Sequence, residues 1–337
     1  MKAPQENASL RSTFPRGPRS LPPLARSTLD RVAHHRRDLE WLAAAWSRSR
    51  VLVVDTVTGG RALVDEDGAL VLFDAKEAPE VEADQRMLLG VEPDGTPVFA
   101  IDAPLPEQPG ARAVNLRDVG HLLSDRDAGL FTAAAALAQW HAGHPYSSST
   151  GLPTTAAEGG WTRVDEAGGQ SWPRTDPAMI VLVHDGVPGP SGRCLLGNNA
   201  AWGSGHEVRR FSCLAGYVEP GESAEAAVVR EVVEEVGVAV RTIEYQGSQA
   251  WPFPGSLMLG FCAVADPAQP VQVDPTEIAH ARWFTREEIA AVLAGEVLDA
   301  GDGARVGLPP ASSIALYLIN RWLSRHDPET GSKPEEL

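Results

Sequence analysis

The chain has 337 residues, of which 29 are basic and 45 acidic, giving a formal net charge of −16. That length can bury a large core and points to two domains. A field of this sign disfavours non-specific binding to nucleic acid or anionic membranes, but it leaves a phosphate substrate open because a metal ion can invert the local sign. No stretch approaches the apolar run needed to span a bilayer, so no membrane partner is expected.

Residues 1–27 are rich in Pro, Ser and Arg and lack the apolar core of a secretory signal, so they read as a disordered tail, with a transit peptide as the alternative. A helix is predicted over 28–49, with Leu29, Val32, Leu39, Leu42 and Ala43 among its apolar positions. Strands are predicted over 51–55, 61–64, 69–73, 86–91 and 97–101, divided by turn pairs such as Gly59-Gly60, Asp67-Gly68 and Asp94-Gly95. They suggest an antiparallel sheet, closed by a helix over 127–142, so that 28–143 forms a small α+β domain. Residues 144–172 read as a Ser/Thr/Gly-rich linker. A second domain, 173–326, follows with strands over 178–184, 193–197, 211–215, 242–248 and 257–264 and helices near 286 and over 312–323. This mixture suits an α/β/α sandwich, and 327–337 reads as a polar tail. The three cysteines, Cys194, Cys213 and Cys262, are widely spaced and odd in number, which implies buried free thiols in a reducing, cytoplasmic compartment.

The densest chemistry lies in GYVEPGESAEAAVVREVVEEVGV, from Gly216 to Val238. Ser223 is suited to cap a helix and Gly237 to end it. Between them Glu231, Glu234 and Glu235 fall at i, i+3 and i+4, placing three carboxylates on one face, with Val229, Val232, Val233 and Val236 opposite and facing a sheet. Such a triplet repels itself unless a hard divalent cation is bound; the alternative is a solvated acidic face.

The segment resembles the Nudix hydrolase signature at every specified position. Farther on, SQAWPFPGS (248–256) carries two X-Pro pairs that stiffen an extended loop holding two aromatic rings. It resembles the SQPWPFPxS loop of the NADH pyrophosphatase branch, with Ala250 in place of the first proline. WPRTDPAMIVLV, DPTEIAHARWF, LPPASSIA and LAQWH extend the resemblance over most of the chain. It implies a Nudix α/β/α sandwich behind a smaller α+β domain, hydrolysis of the pyrophosphate bond of NADH or NAD+ to nicotinamide mononucleotide and AMP, dependence on Mg2+ or Mn2+, and a homodimer. NAD-capped RNA is an alternative substrate that the resemblance leaves open; the basic stretch 11–37 reads as a flexible solvated tail, with contact to such RNA as the alternative. The resemblance further implies metal ligands at Glu231, Glu234 and Glu235 and at a backbone carbonyl near Gly216, with Glu277 as a base or an additional ligand, Arg230 orienting the glutamates and Glu222 supplying or orienting a ligand. It implies substrate contacts at Trp172, Tyr217, Gln249, Trp251, Phe253, Ser256, Met258 and Ala315, with Trp251 stacking on the nicotinamide across a dimer interface.

One departure is large. The branch carries a four-cysteine zinc ribbon before its second domain; the corresponding positions here are Ser147, Thr150, Val164 and Ala167, so no structural zinc is expected. His141 and His144 nearby read as surface residues at a helix end. Competing functions are a Nudix hydrolase for ADP-ribose or another nucleoside diphosphate derivative, and a catalytically silent NAD-sensing module.

Overall fold

The computed structural model describes residues 21–202, 207–301 and 303–325. In the N-terminal part, α1 (Leu39–Trp46) is followed by β1 (Arg50–Val54), β2 (Arg61–Val64), β3 (Phe73–Asp74), β4 (Met87–Val91), β5 (Pro97–Asp102), β6 (Arg112–Asn115), α2 (Leu116–Val119) and α3 (Asp125–Gly143). The main sheet runs β3-β1-β5-β4, and β2 leaves it to pair with β6. β3 and β4 both run antiparallel to their neighbours while β1 and β5 pair in parallel, where a run of turn-separated strands suggests a wholly antiparallel sheet. Of the predicted strand 69–73 only Phe73 joins the sheet, paired together with Asp74, while Leu70 bridges back to Val64. The predicted helix over 28–49 is also cut short. Asp30 exchanges both backbone hydrogen bonds with Val91, Val32 is left-handed at φ 39°, and the Asp38 side chain accepts from Trp41 N–H to start α1.

Residues 21–27 pack against the protein and are not part of a tail. Leu24 is buried in the first core, and Arg26 donates to the carbonyls of Gly120 and Leu123. The rest of the expected tail, and the C-terminal one over 327–337, lie outside the described residues.

The stretch 144–172 has more order than its composition suggests. β7 (Thr154–Ala157), β8 (Thr162–Asp165) and β9 (Gln170–Ser171) form a small antiparallel sheet. Its organising group is the buried Asp165 carboxylate, which accepts from Thr150 Oγ1 at 2.7 Å, Gly169 N–H at 2.7 Å and Ala167 N–H at 3.1 Å. These bonds hold its pKa below the usual carboxylate range, with Thr150 the largest contributor. Two of the four ribbon positions, Thr150 and Ala167, are thus tied through one carboxylate. The adjacent histidines are also engaged: His141 lies between the Gly160 carbonyl and the Arg163 guanidinium, and His144 contacts the Trp140 carbonyl. Asp165→Ala removes the carboxylate on which these bonds converge. The expected result is faster amide hydrogen exchange across 146–171 than in the unmodified chain, measured by mass spectrometry.

The second domain is built on β10 (Asp176–His184), followed by β11 (Arg193–Asn199), β12 (Val208–Arg210), β13 (Leu214–Tyr217), α4 (Ala224–Val236), β14 (Val240–Trp251), β15 (Ser256–Ala265), β16 (Ile278–Thr285), α5 (Arg286–Leu293), β17 (Arg305–Gly307) and α6 (Ile314–Ser324). The sheet runs β14-β15-β10-β11-β16, with β13 also paired to β10. Alternation along β10 supplies two cores. Met179, Val181 and Val183 pack with Ala227, Val228, Val232 and Val236 of α4. Ile180 and Leu182 pack with Ile314, Leu318 and Trp322 of α6 and with all three free cysteines. The result is an α/β/α sandwich. Val229 and Val233, expected to face the sheet, are exposed, and the buried arc of α4 carries Glu231 and Glu235 instead.

Candidate active site

α4 begins at Ser223, whose side chain accepts from Ala226 N–H, and ends at left-handed Gly237. Glu231 and Glu235 project from its buried side towards β13. Gly216 faces the Glu231 carboxyl so closely that a Cβ there would overlap it, which is why glycine occupies the position. Glu277 comes from the turn before β16. That turn is fastened to the end of α4 by Gln272 N–H to the Val236 carbonyl and Asp274 N–H to the Glu235 carbonyl. One oxygen each from Glu231, Glu235 and Glu277 lies within 4.8 Å of the others.

This proximity is electrostatically expensive. Burial, then the neighbouring Glu231 and Glu277, push the Glu235 carboxyl up to about 8, against an opposing hydrogen bond from the Ala215 backbone. Burial likewise raises Glu231, although Arg230 counters it. Glu235 Oε2 is buried and has no hydrogen-bond partner. Three converging carboxylates with an orphaned buried oxygen fit a hard divalent cation, which would be held by Glu231, Glu235 and Glu277.

Glu234 does not join this cluster. It points outward and accepts from Arg230 at 2.9 Å. The Arg230 guanidinium grips Glu222 through two bonds of 2.8 Å and donates to Glu231 at 2.9 Å and to the Tyr217 carbonyl at 2.9 Å. That fork, helped by Glu219 N–H, holds Glu222 down to about 2. Through these bonds Arg230 ties Glu222 and the Tyr217 carbonyl of the preceding loop to α4 beside Glu231. Arg230→Lys keeps the charge but loses the fork. It is expected to weaken divalent-ion activation about 10- to 100-fold, read from metal titrations of turnover.

Tyr217 lies on the α6 side of the sheet, where Met258 packs on the α6 core. Tyr217, Ala178 and Met258 are in register across β13, β10 and β15, and Tyr217 Oη is 3.2 Å from Ser256 Oγ. Trp172 and Tyr217 are each 59% exposed. A cleft of about 510 Å3 opens beside Tyr217, lined also by Arg174, Asp176 and Glu222. Trp251 and Phe253 meet edge to face at 4.9 Å and pack on the first domain, where Arg117 of α2 lies 4.1 Å from the Phe253 ring and 5.6 Å from that of Trp251. Two expected contacts are placed differently. Gln249 is 1% exposed with its amide committed inside the fold, and the Ala315 side chain is buried beneath the sheet in the α6 core. Two contributors carry no signal in the sequence: Arg117 is remote from every motif, and Ala215 acts through its backbone.

The site is thus a glutamate-bearing helix beside a mixed sheet, with a third carboxylate delivered by a distant turn. A NUDIX domain family model matches residues 174–301, and an NADH pyrophosphatase-like rudimentary NUDIX domain matches 46–140. The chain is 41% identical over 315 residues to the NAD-capped RNA hydrolase NudC of Mycobacterium tuberculosis, covering 90% of this chain and 95% of that protein. It is 37% identical over 212 residues to the human NAD-capped RNA hydrolase NUDT12, covering 60% of this chain and 43% of that protein. The chain belongs to the Nudix hydrolase superfamily and, within it, to the NADH pyrophosphatase branch.

Proposed function

We propose that the protein hydrolyses the pyrophosphate bond of NADH and NAD+, releasing AMP and the nicotinamide mononucleotide, and that it also acts on NAD-capped RNA. The supporting observation is a carboxylate cluster in a domain that also presents aromatic rings. Glu231, Glu235 and Glu277 converge within 4.8 Å of one another, while Tyr217, beside its cleft, and the Trp251 loop supply planar surfaces for a base. The NudC and NUDT12 relatives, named for hydrolysis of NAD-capped RNA, support the same substrate class.

Glu231, Glu235 and Glu277 would hold Mg2+ or Mn2+, which when bound supplies charge neutralisation on the diphosphate and an activated water. Arg230 keeps Glu231 aimed and Glu222 keeps Arg230 in place. Tyr217 and Trp172, both open to solvent, receive the rings, and Ser256 fixes the Tyr217 hydroxyl. Glu234 sits where it steadies Arg230. We assign no zinc to the ribbon, a reading supported by the hydrogen bonds that converge on Asp165. A homodimer and a cytoplasmic location complete the proposal. Among the described residues no helix is long and apolar enough to cross a membrane. The three buried thiols suit a reducing compartment.

The test is product identification by mass spectrometry after incubation with NADH, NAD+, ADP-ribose or NAD-capped RNA and Mn2+. AMP together with the reduced mononucleotide from NADH is the expected result. ADP-ribose turnover with none from any NAD substrate would refute the assignment.

A further inference from the structure

Gln249 stands two residues before Trp251, and both ends of its amide are engaged by distant backbones. Its Oε1 accepts from Leu24 N–H at 3.0 Å, and its Nε2 donates to the Ser312 carbonyl at 2.9 Å. Ser312 is wholly buried and precedes Ser313, the cap of α6. The Ser312 hydroxyl accepts from His121 N–H at 3.1 Å and lies 3.1 Å from His121 Nδ1, to which it can donate. His121 follows α2, the helix whose Arg117 covers Phe253 and Trp251. Leu24 is itself fixed from the other side. Its side chain sits in the first core, Arg26 is anchored on Gly120, Leu123 and Asp125, and Ser27 lies so close to Gly129 that no side chain would fit there.

Four segments far apart in sequence therefore meet around one buried amide: the 21–27 strap, the exit of α2, β14 and the loop before α6. The aromatic loop begins at the next residue but one. Ala250 stands between them where the resembling motif has proline, so backbone stiffness at that point is lower and the loop's direction depends more on how Gln249 is held.

We propose that Leu24, Gln249, Ser312 and His121 form an interdomain latch that orients the Trp251–Phe253 loop, making the N-terminal domain a positioning element for the nicotinamide end of the substrate. The latch rests on the reading that this loop receives the nicotinamide. A buried amide with both ends satisfied has one orientation, and a loop held in its binding direction before substrate arrives loses less freedom on binding. The effect should therefore fall on KM, with the carboxylate cluster across the sheet undisturbed.

The test is steady-state hydrolysis of NADH with Mn2+ by the full chain. His121→Ala and Gln249→Met are expected to raise KM about five- to tenfold with kcat changed less than about twofold. His121→Asn, whose side-chain oxygen can accept from Ser312, should recover most of the loss. In a Trp251→Ala background, His121→Ala should add less than about twofold, because both changes act through one loop. His121 is exposed, so its variants report even if Gln249→Met fails to fold. A KM unmoved by His121→Ala, or raised by the same factor with and without Trp251, would overturn the latch. A KM unmoved by Trp251→Ala alone would overturn the reading of the loop, and the latch with it.

Discussion

Glu235→Gln should abolish turnover and, in the absence of metal, make the protein more stable at alkaline pH. The two effects share one cause. The Glu235 carboxyl, pushed up to about 8 from an ordinary 4.5, is 3% exposed and faces two other carboxylates. A carboxyl raised in the folded state contributes stability that is fully present below its unfolded value and is lost as pH rises through its folded one. Metal-free protein should therefore lose stability between about pH 4.5 and 8, by an upper bound of roughly 5 kcal/mol. The amide of the Glu235→Gln variant has no charge to desolvate, so that variant should melt with little dependence on pH in this window. Mn2+ or Mg2+ should raise the melting temperature of the wild type at pH 8 and do little for the variant. Turnover should fall on the order of 1,000-fold, because an anionic ligand is lost where the diphosphate charge must be met. The measurements are thermal melts with and without EDTA across pH, paired with NADH kinetics. A variant with wild-type turnover would remove Glu235 from the metal site. A metal-free variant no more stable than the wild type at pH 8 would show that the carboxylate cluster carries no strain.

How much of this was legible in the sequence differs from residue to residue. Glu231 and Glu235 could be paired from spacing, since four residues along a helix return to within about 40° of the same direction. Glu234 has rotated about 60° the other way, and the fold uses that offset to leave it outside with Arg230. The valine pattern misled because the buried arc of α4 runs through Glu231 and Glu235, and a reading that sorts acids from apolar residues assigns them to opposite faces. Glu277 has no spacing relation to α4. It arrives because the 272–277 turn hydrogen-bonds to the last turn of the helix, a contact between segments that periodicity does not encode. The parallel pairing of β1 with β5 was hidden for a similar reason, since alternation identifies a strand but carries no direction. In the ribbon, the absence of cysteines was plain. Asp165, lying among those same positions, reads in sequence as an isolated solvated aspartate, because its donors come from Thr150 and from the backbone of its own turn.

Trp251→Ala should raise the KM for NADH about 10- to 100-fold, the range expected for losing one aromatic platform under a planar base. Trp251 is half-buried, braced edge to face by Phe253 and with the Arg117 guanidinium 5.6 Å from its ring. Those contacts give it a second occupation, because the ring also packs on the first domain. Some loss of stability must therefore accompany the change, and a lower melting temperature by itself decides nothing about binding. The separation comes from comparing substrates. Stacking on nicotinamide matters only where a nicotinamide is present, so the NADH to ADP-ribose ratio of kcat/KM should fall steeply in the Ala variant and much less in Trp251→Phe, which keeps a ring. General loosening of the domains would depress both substrates together and leave the ratio where it was. A constant ratio would move Trp251 from the substrate site to the domain interface, and NADH preference would then have to come from Tyr217 and Trp172, the two rings that stand open to solvent.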